Sequence, residues 1–127
     1  MYQNAAIFSA SGEMQAICIY TIKYKHGGRI GYIMDLIHRD DSVSCASHLL
    51  DFVVAKMTLN KCDAVLSWCF DHSPNISSYK KSGFFPMPVR LRPIELHFGA
   101  RSFKADSSEI LENRSSWYIS YMDSDTV

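Results

Sequence analysis

The stretch that decides the fold is residues 30–59, IGYIMDLIHRDDSVSCASHLLDFVVAKMTL. Residues 30–37 are rich in β-branched and aromatic side chains, which favours a β-strand. The polar residues 38–42 interrupt this pattern. Beyond them apolar residues recur at spacings of three and four, which predicts an amphipathic helix over residues 43–59 that packs by one face.

The residues before this stretch predict two further strands, Ala6–Phe8 and Ala16–Ile22, with glycine turns between the runs. Short connections predict an antiparallel meander. In the third strand, alternation predicts Ile33, Asp35 and Ile37 on one face and the intervening residues on the other. Asp35 is then a carboxylate in mid-strand among apolar neighbours.

The residues after the helix complete a mixed α/β (α+β) pattern. Residues 63–70 are apolar on both faces, which is typical of a central strand. A short helix begins near Pro74 and ends near Lys81, because proline fits a first helical turn and Gly83 follows. Two closing strands are predicted at Ile94–Ala100 and Trp117–Met122. The predicted order is βββ-α-β-α-ββ, a mostly antiparallel sheet in a single domain over residues 1–127.

Composition limits the classes of partner. The chain has 127 residues, and 13 Lys plus Arg balance 13 Asp plus Glu. Zero net charge argues against nucleic acid and anionic membranes as partners, because both need a sustained positive field. The four cysteines form no close pair of metal-ligand spacing, so they are expected to be free thiols and no metal site is expected. No signal peptide or transmembrane stretch is evident, and we expect a cytoplasmic protein.

The segment Tyr79-Lys80-Lys81-Ser82-Gly83-Phe84, together with the order of elements, resembles the GNAT acetyltransferase superfamily. The closing residues 117–125 are similar to the end of one bacterial branch of acyltransferase-like proteins. The resemblance begins at what would be the second strand of the family. It therefore implies a GNAT-like domain that lacks the usual first strand and the two helices after it.

The resemblance implies a binding site for acetyl-CoA. In this family the third and fourth long strands part like a V, and the gap admits the pantetheine arm. Backbone groups of Leu36 and Ile37 are the implied contacts. The pyrophosphate rests on amides at the start of the following helix, where unpaired N–H groups favour anions.

Matching the paired leucines Leu49-Leu50 to the family places its phosphate signature on residues 41–46. The implied contacts are Ser42, Ser44, Cys45 and Ala46. Only Ala46 matches the signature well, because Asp41 stands where the family has Gln or Arg and Ser44 replaces a glycine. Arg39 could compensate for Asp41. The alternative is that these polar residues simply cap the helix.

Two residues are implied as catalytic, Tyr79 and Asp35. Tyr79 would be the general acid that protonates the departing thiolate of CoA, and Asp35 would be the base that takes a proton from the acceptor. Asn75, four residues before Tyr79, would bind the pantetheine amides. Each of these three residues has a structural alternative. Tyr79 could be a tyrosine packed on its helix, Asp35 could be held by a neighbouring backbone group or arginine, and Asn75 could belong to the start of the helix.

Two functions remain open from the sequence. The first is transfer of an acetyl group from acetyl-CoA to an amine or hydroxyl of a small molecule. The second is a non-catalytic GNAT-like half-domain, in which a second copy or a partner domain covers the exposed N-terminal edge of the sheet.

Overall fold

The computed structural model describes residues 1–92, 99–100, 103, 106 and 108–124. The chain divides into two compact units. One contains Met1–Phe85 and the segment that begins at Ile119, and the other is Pro86–Tyr118. A single domain over residues 1–127 stays a prediction.

The first unit is built on a sheet of four strands in the order β1-β2-β3-β4. These are β1 Gln3–Phe8, β2 Met14–Lys25, β3 Gly28–His38 and β4 Ala64–Ser67. The first three strands pair antiparallel, whereas β3 and β4 pair parallel. A parallel pair needs a crossover connection, which helix α1, Val43–Leu59, provides. The predicted mixed, mostly antiparallel sheet is confirmed.

Strand β1 lies at one end of this order and is therefore an edge of the described sheet. An edge strand presents unpaired backbone groups along one side. That a second copy or a partner domain covers this edge stays a prediction.

Helix α1 has the predicted bounds and packs its apolar stripe on one face of the sheet. Leu50, Val53 and Met57 are completely buried in the core beneath the helix. Helix α1 packs over Gly31 of β3, where an added Cβ would stand 2.5 Å from Met57 Sδ. A side chain at this position would therefore force the buried Met57 side chain to move.

A β-bulge changes the faces of β3. Tyr20 pairs with Ile33 and Ile19 pairs with Asp35, so Met34 is an extra residue in the ladder. Consequently Ile33 and Leu36, three positions apart, both belong to the core beneath α1. The predicted strict alternation, which put these two residues on opposite faces, is wrong, because the bulge reverses it.

Strand β4 is shorter than predicted. It pairs with β3 only from Ala64 to Ser67, although the apolar run continues to Phe70. Beyond Ser67 the rings pack on one another instead of extending the ladder. The Trp68 ring lies 6.3 Å from the Tyr121 ring and 6.4 Å from the Phe70 ring, centroid to centroid.

The short helix α2, Ile76–Lys81, follows as predicted. It ends in a Schellman motif, in which Gly83 has φ +83° and the Phe84 amide donates to the Tyr79 carbonyl at 2.9 Å. The Tyr79 and Phe84 rings then meet edge to face, with centroids 5.2 Å apart. The Tyr-x-x-x-Gly-Phe segment is thus a helix end that folds its phenylalanine back onto its tyrosine.

The predicted closing strand Trp117–Met122 is wrong. Residues 117–120 belong to no strand, and Tyr121–Asp123 form a 3-10 turn. Ser120 and Asp123 form a capping box: the Ser120 amide donates to Asp123 Oδ2 at 2.9 Å, and the Met122 amide donates to Ser120 Oγ at 3.3 Å. These side-chain bonds favour a turn over a ladder. The other closing strand, Ile94–Ala100, lies largely outside the described residues, and Gly99 and Ala100 belong to no strand.

In its described residues, the second unit contains only short elements. A 3-10 turn spans Val89–Leu91, helix α3 spans Ser108–Leu111, and another 3-10 turn spans Arg114–Ser116. Within this unit the Trp117 indole N–H donates to the Leu111 carbonyl at 2.9 Å.

Candidate active site

The candidate site is the gap that opens where β3 and β4 stop pairing. The last pair is Ile33 with Ser67, but β3 continues to His38. Over this extension β3 keeps β2 as its neighbour on one side, where Leu36 pairs with Cys18. Parallel pairing thus ends before β3 does, which is where the resemblance implies a V-shaped parting of these strands.

Leu36 lies on β3 beyond the last pair with β4, and both of its backbone polar groups have side-chain partners. Its amide donates to Asp35 Oδ1 at 2.9 Å, and its carbonyl accepts from Asn75 Nδ2 at 2.7 Å. Ile37 pairs with Ile17 of β2, and its side chain is exposed. Of the two implied contacts, Leu36 is the one that is hydrogen-bonded, through Asn75, to the segment that follows β4.

Asp35 is half-buried. Burial is the main cause of the raised pKa of the Cys18 thiol and of the Tyr79 hydroxyl, and the Asp35 charge adds to the rise in both. The fold thus brings the two residues implied as catalytic, Asp35 and Tyr79, within electrostatic range of each other. In the sequence they are separated by a helix and a strand.

Tyr79 projects from α2 into the core beneath α1 and is 7% exposed. Burial raises its pKa well above the ordinary value, and the Ser67 hydroxyl offsets part of that rise. A tyrosine in this state keeps its proton throughout the neutral range. It therefore has a proton to give to a strong base, as a general acid requires, and it also packs as a core side chain.

The first turn of α1 carries Ser42, Ser44, Cys45 and Ala46, the implied pyrophosphate contacts. Ser42 is the N-cap residue, yet no side chain accepts from the amides of this turn. The prediction that Asp41, Ser42 or Ser44 caps the helix is therefore wrong. The reason is that the Ser42 hydroxyl donates to Gln15 Oε1 of β2 at 2.7 Å.

These uncapped amides belong to a long helix, so they and the helix dipole favour an anion there. Ser44 is exposed, Cys45 half-buried and Ala46 buried. Arg39 is the residue expected to compensate for Asp41. Its Nε lies 3.6 Å from Asp41 Oδ1, and its Nη1 lies 3.6 Å from Glu13 Oε2. Its charge is thus shared with two exposed carboxylates.

Several residues of this region were not identified from the sequence. The Gln15 side chain accepts a hydrogen bond from the Ser42 hydroxyl, and the Gln15 backbone carbonyl accepts one from the Arg39 amide at 3.1 Å. The Ser67 hydroxyl acts on the Tyr79 hydroxyl, and Ser78 has a buried hydroxyl oxygen that makes no hydrogen bond within the described part of the chain. No local sequence signal marks these residues, because their roles depend on contacts across the fold.

Two further features bear on function. No group of three His, Cys, Asp or Glu side chains among the described residues is placed to hold a metal ion. In the same part of the chain, every helix is too short or too polar to span a membrane.

Solved acetyltransferase structures have a similar backbone. Glucosamine-6-phosphate N-acetyltransferase from Arabidopsis thaliana matches with a TM-score of 0.60 and 16% identity, over 77% of this chain and 67% of that one. An acetyltransferase from Trypanosoma brucei matches with a TM-score of 0.51 and 17% identity, over 76% and 69%. A variant of a Bacillus halodurans protein matches with a TM-score of 0.58 and 12% identity, over 76% and 66%.

The chain has the GNAT acetyltransferase fold. At these identities the likeness shows the GNAT fold alone. The chain spans about two thirds of the length of the GNAT structures that it matches. No family model matches the sequence, and no curated protein sequence does so.

The Cys18 thiol provides a pH test of the core beside the gap. Burial and the nearby Asp35 charge raise the pKa of Cys18 to about 12, above the ordinary thiol value of about 8.5. The folded state therefore holds a proton that the unfolded chain releases above pH 9. The free energy of unfolding should fall as pH rises from about 9 towards 12, by up to about 1.4 kcal/mol per pH unit for this thiol.

Urea denaturation at pH 8 and pH 10 measures this fall. Cys18→Ala should make the fall shallower. Val53→Ala truncates another completely buried side chain of the same core and should lower stability equally at both pH values. An unchanged slope in Cys18→Ala would contradict the assignment.

Proposed function

We propose that the chain binds acetyl-CoA in the gap between β3 and β4 and transfers its acetyl group to an amine or hydroxyl of a small molecule. The observation that carries the proposal is the end of parallel pairing at Ile33 and Ser67. In the proposed complex the pantetheine arm lies where the strands stop pairing, with the first turn of α1 and Tyr79 beside it.

The residues at the gap suit such a donor. A pyrophosphate needs unpaired N–H groups, and the first turn of α1 has no side-chain cap. A pantetheine arm needs backbone polar groups in an extended strand, which β3 supplies at Leu36. The contacts proposed for the donor are Leu36, Ile37, Ser42, Ser44, Cys45 and Ala46.

Acetyl-CoA supplies an acetyl group activated as a thioester. In the proposed transfer the acceptor atom forms a bond to the acetyl carbon as the carbon–sulfur bond breaks. Asp35, directly or through water, takes the proton that the acceptor loses. Tyr79, which is protonated at neutral pH, gives its proton to the departing sulfur.

The phosphate contact can be tested by adding charge at the start of α1. Ser44→Asp places a carboxylate on the exposed side of the first turn, where it should repel the pyrophosphate and raise the Kd for acetyl-CoA about tenfold. Binding is measured by calorimetry. Pantetheine, which has no phosphate, should bind wild type and variant equally.

Thr58→Asp is the matched control, since it adds the same charge at the exposed far end of α1. It should leave the Kd for acetyl-CoA unchanged. No stabilisation of wild type by millimolar acetyl-CoA would refute the proposed function, because a ligand that binds the folded state must raise its apparent stability.

Removal of the Tyr79 hydroxyl tests the proposed general acid. Tyr79→Phe keeps the ring that packs on Phe84 but has no proton to give. Its kcat for acetyl transfer should fall about 10²-fold, the lower end of the effect of a general acid, while its Tm stays close to that of wild type. Release of CoA thiol across a panel of small amines measures the rate.

Tyr79→Ala separates packing from chemistry in the same assay. It removes the buried ring as well as the hydroxyl, so its Tm should fall clearly. If Tyr79→Phe turns over at the wild-type rate and only Tyr79→Ala is impaired, the tyrosine is structural.

A further inference from the structure

The hydrogen bond from Asn75 to Leu36 crosses the gap. Asn75 is 2% exposed, and its Nδ2 donates to the Leu36 carbonyl at 2.7 Å although the two residues are 39 positions apart. Between β3 and β4 the backbone ladder stops at Ile33 and Ser67. A side-chain amide therefore takes a strand carbonyl in the region where the two strands no longer pair.

The backbone of Asn75 is held on both sides. Its amide donates to Ser73 Oγ at 3.2 Å, and its carbonyl accepts from the Tyr79 amide at 3.0 Å, at the start of α2. Neither of these two bonds involves Nδ2, so the backbone of Asn75 is fixed independently of its bond to Leu36.

A carbonyl that already accepts a short hydrogen bond is not freely available to a ligand amide. The Leu36 amide is occupied as well, by Asp35 Oδ1 at 2.9 Å. A ligand that hydrogen-bonds to the backbone of Leu36 in the way a neighbouring strand does must first displace the side chains of Asn75 and Asp35. Only the molecules in which these side chains have moved can then bind the ligand. The apparent affinity is lower than the intrinsic affinity by the fraction of such molecules.

We propose that Asn75 is a latch across the gap, which competes with an amide-bearing ligand for the Leu36 carbonyl. The inference rests on the proposed function, because the ligand it regulates is acetyl-CoA. It differs from the expectation that Asn75 binds the pantetheine amides, since a binding contact strengthens affinity and a latch weakens it.

Calorimetry with acetyl-CoA distinguishes these roles. Asn75→Ala should bind acetyl-CoA more tightly than wild type, by about fivefold, the equivalent of about 1 kcal/mol for one net hydrogen bond. Asn75→Leu keeps the branched side-chain shape without charge and cannot donate, so it should also tighten binding if the alanine variant does not fold. Asn60→Ala is the matched control, because Asn60 Nδ2 also donates to a backbone carbonyl, that of Lys56, at the far end of α1.

A second readout needs no variant. In the free protein, a scalar coupling through the hydrogen bond should connect Asn75 Nδ2 with the Leu36 carbonyl carbon in NMR spectra. That coupling should disappear when acetyl-CoA saturates the protein.

The two proposals fail in different ways. If acetyl-CoA binds wild type and Asn75→Ala equally, or binds the variant more weakly, or if the coupling persists at saturation, the latch is wrong while the proposed function stands. If millimolar acetyl-CoA binds neither protein, the proposed function is wrong and the latch falls with it.

Discussion

The arrangement of this protein depends on the point where two parallel strands stop pairing. From Ala64 to Ser67 strand β4 continues the sheet, and then its chain departs while β3 runs on to His38. A strand without a neighbour has backbone groups that need other partners. Here the Leu36 carbonyl finds the Asn75 side chain, which lies on the segment that leads into α2. The parting of the strands thus creates the gap and also determines what lies across it.

Two other features position groups around that gap. The bulge at Met34 reverses the faces of β3, so that Leu36 joins the core beneath α1 and pairs with Cys18. The Schellman motif at Gly83 ends α2 and packs Phe84 on Tyr79, which fixes the ring in the core. The bulge on the strand and the motif at the helix end together position Asp35 and Tyr79 so that the Asp35 charge contributes to the raised pKa of Tyr79.

Local patterns predicted the elements whose causes are local. Helix α1 has the predicted bounds because its apolar spacing alone defines a buried face. The tyrosine-to-phenylalanine segment was identified correctly because a glycine after a short helix is a local signal. Strand β4 was predicted too long, since Trp68 and Phe70 favour strands and only their packing with Tyr121 and each other explains why they leave the sheet. The capping prediction failed for a similar reason, because Gln15, which takes the Ser42 hydroxyl, comes from a different strand.

In the proposed complex the donor lies in the gap between β3 and β4, with its phosphates on the first turn of α1. Backbone amide NMR during a titration with acetyl-CoA locates the bound donor residue by residue. We expect the largest saturable shifts at residues 34–37 and 43–46 and in α2. Shifts confined to the β2–β3 turn or to the second unit, or no shifts at millimolar acetyl-CoA, would contradict it.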